Sequence, residues 1–365
     1  MAGTTQTLQQ KKISPAVRNQ LFAALTRKYH QPLPPVAGAE NATAQFTLTK
    51  SRLLSKLWLE FIGTMTYTQA AAVPATLAAF APFNFIRNIR VEYNNGYTPF
   101  NISGAQLYMY NLTRNNASLL APQTAVTAAA AALLRGRCAC GLESGAAGVA
   151  NTCRFLIELP IGVNERDPVG LYLLQNEEIV VTVTIDFADA DVVFNASAGL
   201  TGAMTAITVT PMVETFSVPP RDEAVPDLGM LKLVSARHDV IAGAGVQTIR
   251  LTPGNIFRKL LVYIADAAGG EFDGDLTGNF EIIFNESDNP IRIPPWVLSG
   301  INAEQYGMNL PNGLWVLDFT YQGLANYGGG RDYIDTEKVT EFWFRFNAAA
   351  AGTIDIVQET LTKLR

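Results

Sequence analysis

From Thr43 onward the apolar residues of this 365-residue chain recur with a period of two. Leu57, Leu59 and Phe61 alternate with Trp58 and Glu60, and Cys153, Phe155, Ile157 and Leu159 alternate with Arg154 and Glu158. The same rhythm returns in Val181/Val183/Ile185/Phe187, Ile207/Val209, Phe342/Phe344/Phe346 and Ile354/Ile356. Side chains leave a strand on alternate faces, so each segment should set one face in a core and the other toward solvent. The connections are long and rich in Gly, Asn and Ala, unlike the regular helices that a parallel sheet needs between its strands. The chain therefore reads as all-β, an antiparallel sandwich.

A chain of this length fits two domains of roughly 150 residues better than one. Between Phe216 and Leu228 the strand pattern is interrupted by Pro219, Pro220 and Pro226 together with Arg221, Asp222, Glu223 and Asp227. The expected division is an arm at 1–40, a first sandwich at 41–218 and a second at 219–365. Each half carries one helix signal. In the first, Asn101-Ile-Ser103 caps Ala105 to Tyr110; in the second, Pro294-Pro295-Trp296 opens a segment reaching Glu304. The alanine-rich stretch from Ala121 to Leu134 has helical propensity but falls in a long connection, and is expected to be a surface insertion.

Ser14-Pro15 followed by Val17, Leu21, Phe22 and Leu25 predicts a capped amphipathic helix from about Pro15 to Tyr29, continued by an extended tether at Gln31-Pro32-Leu33-Pro34-Pro35. Its apolar stripe packs either on its own body or on a neighbouring subunit or surface. Residues 1–39 contain Lys11, Lys12, Arg18, Arg27 and Lys28 and no acid, a charge of +5, whereas the other 326 residues carry −10. The arm can therefore face something anionic, while the acidic body argues against nucleic-acid binding.

Candidate chemistry is sparse. The histidines are His30 in the arm and His238 between Arg237 and Asp239; a triad or a multi-histidine metal site would have to be built from His238 almost alone, which reads more simply as a strand-end surface residue. Glu158 and Asp186 alternate with apolar residues, as solvent-facing strand positions do. Asp273-Gly-Asp275-Leu-Thr277-Gly278 opens like a calcium loop but has Phe284 where the twelfth-position Glu belongs, and a turn explains it equally well. Cys138, Cys140 and Cys153 lack zinc-ligand spacing and read as buried or loop thiols in a protein folded in a reducing cytoplasm. No run reaches the roughly 20 apolar residues of a membrane span, and Met1 is not followed by the apolar core of a leader. No catalytic residue, metal or cofactor is expected.

The order of segments resembles the double jelly-roll major capsid proteins of tailless icosahedral viruses, the tectivirus-like group related to the adenovirus hexon. The resemblance rests on Asn84-Phe-Ile-Arg87-Asn-Ile-Arg-Val-Glu-Tyr93-Asn-Asn-Gly96 with the capped helix at Ser103, then Ile157-Glu-Leu-Pro160-Ile-Gly-Val163 leading to Gly170-Leu-Tyr-Leu-Leu-Gln175. In the second half it rests on Pro295-Trp296, on Asn312-Gly313-Leu-Trp-Val-Leu-Asp318, on Gly330-Arg331-Asp332 and on the last Phe/Trp-rich strand. It implies two consecutive eight-stranded antiparallel jelly rolls with one short helix each. It further implies a non-enzymatic shell protein, made in the host cytoplasm, whose homotrimers form pseudo-hexagonal tiles of a virion. Partners implied are the chain itself, neighbouring trimers, penton and minor capsid proteins, and an internal membrane surface met by the N-terminal helix. The candidate assembly contacts are Val17, Arg18, Leu21, Phe22, Leu25, Arg27 and Lys28. The competing reading is a carbohydrate-binding or carbohydrate-active β-sandwich, such as a receptor-binding protein, using Trp58, Trp296, Trp315 or Trp343 as stacking platforms.

Overall fold

The computed structural model describes residues 15–70, 73–93, 96–115, 120, 122–134, 136–163, 169–175, 179–195, 199–226, 228, 230–266, 276, 278–286, 288–320 and 333–363. In the first half the strands are β1 (Lys28–Pro32), β2 (Val36–Ala37), β3 (Thr43–Thr47), β4 (Leu53–Thr68), β5 (Ile86–Tyr93), β6 (Tyr97–Ile102), β7 (Gln123–Ala125), β8 (Cys138–Gly141), β9 (Val149–Pro160), β10 (Tyr172–Leu173), β11 (Val181–Phe187) and β12 (Thr201–Phe216). The second half contributes β13 (Met230–Ile241), β14 (Gly245–Leu251), β15 (Ile256–Asp266), β16 (Phe280–Phe284), β17 (Asp288–Ile293), β18 (Leu314–Asp318), β19 (Ile334–Asp335), β20 (Phe342–Ala348) and β21 (Gly352–Lys363). Among the described residues the α-helices are α1 (Pro15–Leu25), α2 (Gly104–Leu112), α3 (Ala128–Ala131) and α4 (Pro295–Tyr306).

Three sheets result. One runs β1-β12-β4-β9-β8-β7, a second β18-β15-β21-β13-β6-β5-β11-β3, and a third β14-β20-β16-β17. The alternation read from the sequence is the alternation of burial: Leu57, Leu59 and Phe61 on β4 and Phe155, Ile157 and Leu159 on β9 are all buried. They meet Ile89, Val91, Phe100, Val183 and Ile185 from the facing sheet. Phe61 stacks on Phe155 with ring centroids 4.8 Å apart, and Phe83 closes on Phe155 edge-on at 5.4 Å. In the second half Phe280, Ile282, Phe342, Phe344 and Phe346 meet Leu260, Val262, Ile264, Ile354 and Ile356. Trp315 completes that core, edge-on to Phe280 at 5.2 Å.

The two sandwiches share one continuous sheet. β13 pairs with β6 in parallel at Val234↔Phe100 and Ser235↔Asn101, so strands of both halves lie side by side. This contact and the β7–β8 pair are parallel exceptions to the antiparallel rule. β15, β18 and β21 are consequently buried on both faces. Leu260, Val262 and Ile264 point into the second core, whereas Leu261, Tyr263 and Ala265 join the first. That double burial is why residues 260–265 read as an unbroken apolar run.

α2 forms where the cap signal places it. The Ser103 hydroxyl accepts from the Gln106 backbone N–H at 3.2 Å, and the Gln106 side-chain oxygen accepts from the Ser103 N–H at 3.0 Å. Gly104 is required because a Cβ there would lie 2.1 Å from the Phe83 carbonyl oxygen. Ser103→Ala is expected to cost about 1 kcal/mol, read as a fall in the urea midpoint at constant slope. α4 has Pro295 in its first turn and ends at Gly307, whose φ of 65° is left-handed. The alanine-rich segment is shorter in helix than its propensity suggests. Among its described residues only 128–131 is helical, and Gln123–Ala125 instead extends the edge of the first sheet by pairing with β8.

Candidate assembly surfaces and the seam between the halves

The N-terminal helix ends at Leu25, earlier than the expected Tyr29. Thr26 closes the last turn by donating both its N–H and its hydroxyl to the Phe22 carbonyl. The chain then enters β1, which pairs with β12 from Lys28↔Phe216 to Pro32↔Met212. The expected free tether at 31–35 is therefore part edge strand, with Pro32 as its last residue, a position where the lost N–H is harmless. Lys28 does not serve the helix end: its ammonium lies 2.9 Å from the buried Glu214 carboxylate, and His30 Nδ1 is 3.8 Å from the same group. Backbone strand pairing outweighs the dipole preference because it satisfies a hydrogen bond per residue pair.

Of the candidate contacts, Phe22 turns into the body. It is buried with Leu53 and Leu171, and its ring meets Phe216 edge-on at 5.4 Å. Leu21 and Leu25 are half-buried and Val17 is exposed; the Arg27 N–H donates to the Ser217 hydroxyl oxygen, and the Ser217 N–H donates to the Arg27 carbonyl. Arg18 is half-exposed and Lys28 exposed. Of the apolar stripe, Phe22 faces the chain's own body and Val17 is exposed. The Ser14 cap lies outside the described residues, as do Lys11 and Lys12.

The seam between the halves holds a buried ionic cluster that period-two reading missed. Glu359 on β21 is fully buried; Arg258 on β15 approaches it at 3.2 Å, and the Tyr110 hydroxyl of α2 donates to its other oxygen. Lys232 on β13, also fully buried, donates to the Gly162 carbonyl at 2.9 Å. Four residues before Glu359, Asp355 accepts from Gln106 of α2 at 2.9 Å and meets His238 at 2.9 Å. Near the same seam Glu158 is buried between Lys56 at 3.2 Å and Arg137 at 3.7 Å. The expectation that Glu158 faces solvent is wrong, because its strand is covered on its second face by Lys56, Arg137 and Asn115.

Burial alone would push the Glu359 carboxyl up, but Arg258, Lys232, Lys259 and Arg114 outweigh it and hold it at about 2. Burial, then Arg114, pushes the Lys232 ammonium well below the ordinary lysine range. Because the folded value of Glu359 is depressed, its contribution is fully present above the unfolded carboxyl range near 4.5 and is lost as pH falls toward 2. Acid titration of unfolding should therefore show a steep loss of stability across that window, with Glu359→Gln flattening its slope; an unchanged slope in the variant would refute the assignment.

Other candidates fall apart spatially. His238 is exposed in β13, opposite Asp355. Asp186 accepts from the Thr43 hydroxyl at 2.6 Å across β11–β3. Trp58, Trp315 and Trp343 lie on β4, β18 and β20, three different sheets, and Trp315 is in the core, donating to Ser299 at 2.9 Å. They build no common platform for a sugar. Asp273, Asp275, Thr277 and residues 328–332 lie outside the described residues. Among the described residues no group of His, Cys, Asp and Glu is arranged to hold a metal ion, and no helix is long and apolar enough to cross a membrane. What the surface does present is an apolar face on α4. Trp296 is 86% exposed, with Val297 and Ile301 beside it. Its only sequence signal was an aromatic in the first turn of a helix, since alternation describes strands and is silent about helix faces.

No family model and no curated protein matches the chain. Its architecture does match solved structures. The major capsid protein of Sulfolobus turreted icosahedral virus superposes with a TM-score of 0.67 at 15% identity, over 92% of this chain and 97% of that one. VP54 of PBCV-1 superposes with a TM-score of 0.64 at 10% identity, over 93% and 95%. The major capsid protein P2 of bacteriophage PM2 gives 0.53 at 11% identity, over 93% and 98%. Two sandwiches joined through one sheet, each with a capped helix, and an end-to-end match to these structures mean that the chain has the double jelly-roll fold of viral major capsid proteins.

Proposed function

We propose that this chain is a structural protein, a major capsid protein whose homotrimers form pseudo-hexagonal tiles of an icosahedral virion shell. The observation that carries the reading is the match of both halves, in order and over more than nine-tenths of the chain, to capsid proteins of dissimilar sequence. A fold retained at 10–15% identity while the side chains change is expected when the shape of the subunit is itself what the protein supplies. The composition suits tiling: 16% charged residues leave faces that can be buried against copies. The arm at 1–40 adjusts contacts at the inner face, through Val17 and the cations Arg18, Arg27 and Lys28, either to neighbouring subunits or to an anionic membrane surface. Residues 41–218 and 219–365 act as the two tile units, and penton and minor capsid proteins complete the shell. Synthesis in the host cytoplasm accords with three unpaired thiols.

Light scattering on the purified chain, followed by electron microscopy of the same sample, tests this. A mass near three times 39.5 kDa with hexagonal tiles or shells is the expected result. A stable monomer that never assembles would overturn it.

A further inference from the structure

Cys140 on β8 and Cys153 on β9 stand directly opposite each other, and their sulfurs are 3.0 Å apart. The register locates the pair more closely. Leu156 N–H donates to the Arg137 carbonyl at 2.7 Å, so positions 137 and 156 form a hydrogen-bonded pair of the antiparallel ladder. Such pairs alternate, which makes Ala139↔Arg154 hydrogen-bonded and Cys140↔Cys153 a non-hydrogen-bonded pair. At such positions the Cα atoms approach to about 4.5 Å and the side chains are closest, within the separation a disulfide spans. Cys138, two residues along on the same buried face, is opposite Phe155 instead.

We propose that Cys140 and Cys153 are a modification site: they close an intrachain cross-strand disulfide when the folded protein meets a small peroxide oxidant, leaving Cys138 as a free thiol. A small apolar pocket lined by Phe61, Gly63, Met204 and Cys153 borders one of the two sulfurs. Hydrogen bonds from the Cys138 and Cys153 thiols pull the Cys140 thiol well down, which marks it as the first nucleophile. The Cys140 thiolate attacks one peroxide oxygen, giving a sulfenic acid and hydroxide. The Cys153 thiol yields its proton to that hydroxide, forming water, and its sulfur attacks Cys140 and expels a second hydroxide. That hydroxide takes up the proton released when Cys140 ionised. Two thiols and one hydrogen peroxide thus become one disulfide and two waters, with two electrons passing to the peroxide. The bond would staple β8, and through it β7, the exposed end of the first sheet, to the central β9.

The test treats the purified, folded full chain with hydrogen peroxide, removes the oxidant with catalase, then labels in guanidinium with excess maleimide and weighs the intact protein. One adduct per chain is expected in place of three, with three restored by a phosphine reductant. The tryptic peptide 138–154, which contains all three cysteines, should be two mass units lighter. Cys138→Ser should then give no adduct, and Cys140→Ser or Cys153→Ser two. The oxidised protein should melt about 3–8 °C higher than the reduced one. Three adducts from the oxidised wild type, oxygen-bearing sulfinic or sulfonic masses in place of the link, or a link that survives Cys140→Ser would each overturn the proposal. None of these readings depends on whether the protein assembles.

Discussion

Glu359→Ala is expected to destabilise the protein by about 3–5 kcal/mol, because it removes the only carboxylate within ion-pair distance of Arg258 among the described residues. Lys232, fully buried beside the same cluster, would lose the negative charge that counteracts the lowering of its ammonium by burial. The Tyr110 hydroxyl would also lose its acceptor, leaving a buried donor unsatisfied. The damage falls on the seam, since Tyr110 comes from α2 of the first half while Arg258 and Glu359 come from β15 and β21 of the second. Urea unfolding followed by tryptophan fluorescence measures it; a loss below 1 kcal/mol would show that the cluster is dispensable. Lys232→Met separates the charge from the packing. Replacing a buried ammonium by an apolar chain of similar length should be close to neutral if Arg258 alone balances Glu359, and the sign of that change reports which cation does so.

Deleting residues 1–26 should abolish shell formation while leaving trimers in solution. The cut falls before β1, so the Lys28–Glu214 pair and the β1–β12 ladder survive and the body keeps its edge. What is lost is α1, including the outward-facing Val17 and the cation Arg18, together with the Phe22 side chain over Leu53 and Leu171. A cut at residue 30 would be a poorer experiment, because it would remove Lys28, Tyr29 and His30 from the paired strand and confuse assembly with stability. Sedimentation reads the trimer and electron microscopy the particles. Normal particles from the truncated chain would refute the role given to the arm. Phe22→Ala serves as the companion variant: it should undock the helix from the Phe216 ring and lower the melting temperature without removing Val17 or Arg18.

The double jelly-roll architecture was legible because its signals are local. Alternation at 57–61, 153–159 and 342–346 reports a half-buried strand wherever it occurs, and the observed burial follows it except at Glu158. The Ser103–Gln106 capping box and the Pro295 helix start are equally local, since cap chemistry acts within four residues. The arm was legible only in part. Its apolar spacing announced a helix, but nothing within residues 26–32 reports that β12 lies alongside, and the strand that forms there depends on a partner about 180 residues away.

What the sequence by itself determined is therefore the set of strands and capped helices, with the faces of each strand that lies at one boundary between core and water. Only the tertiary structure decided what happens where a strand has core on both sides. There Glu158 and Glu359 occupy polar-looking positions yet are buried among cations, and Cys140 is set against Cys153. The physical reason is that burial of an outer face and the register across a ladder are set by a second element. A one-dimensional pattern carries the period of a strand but not the identity of what covers it.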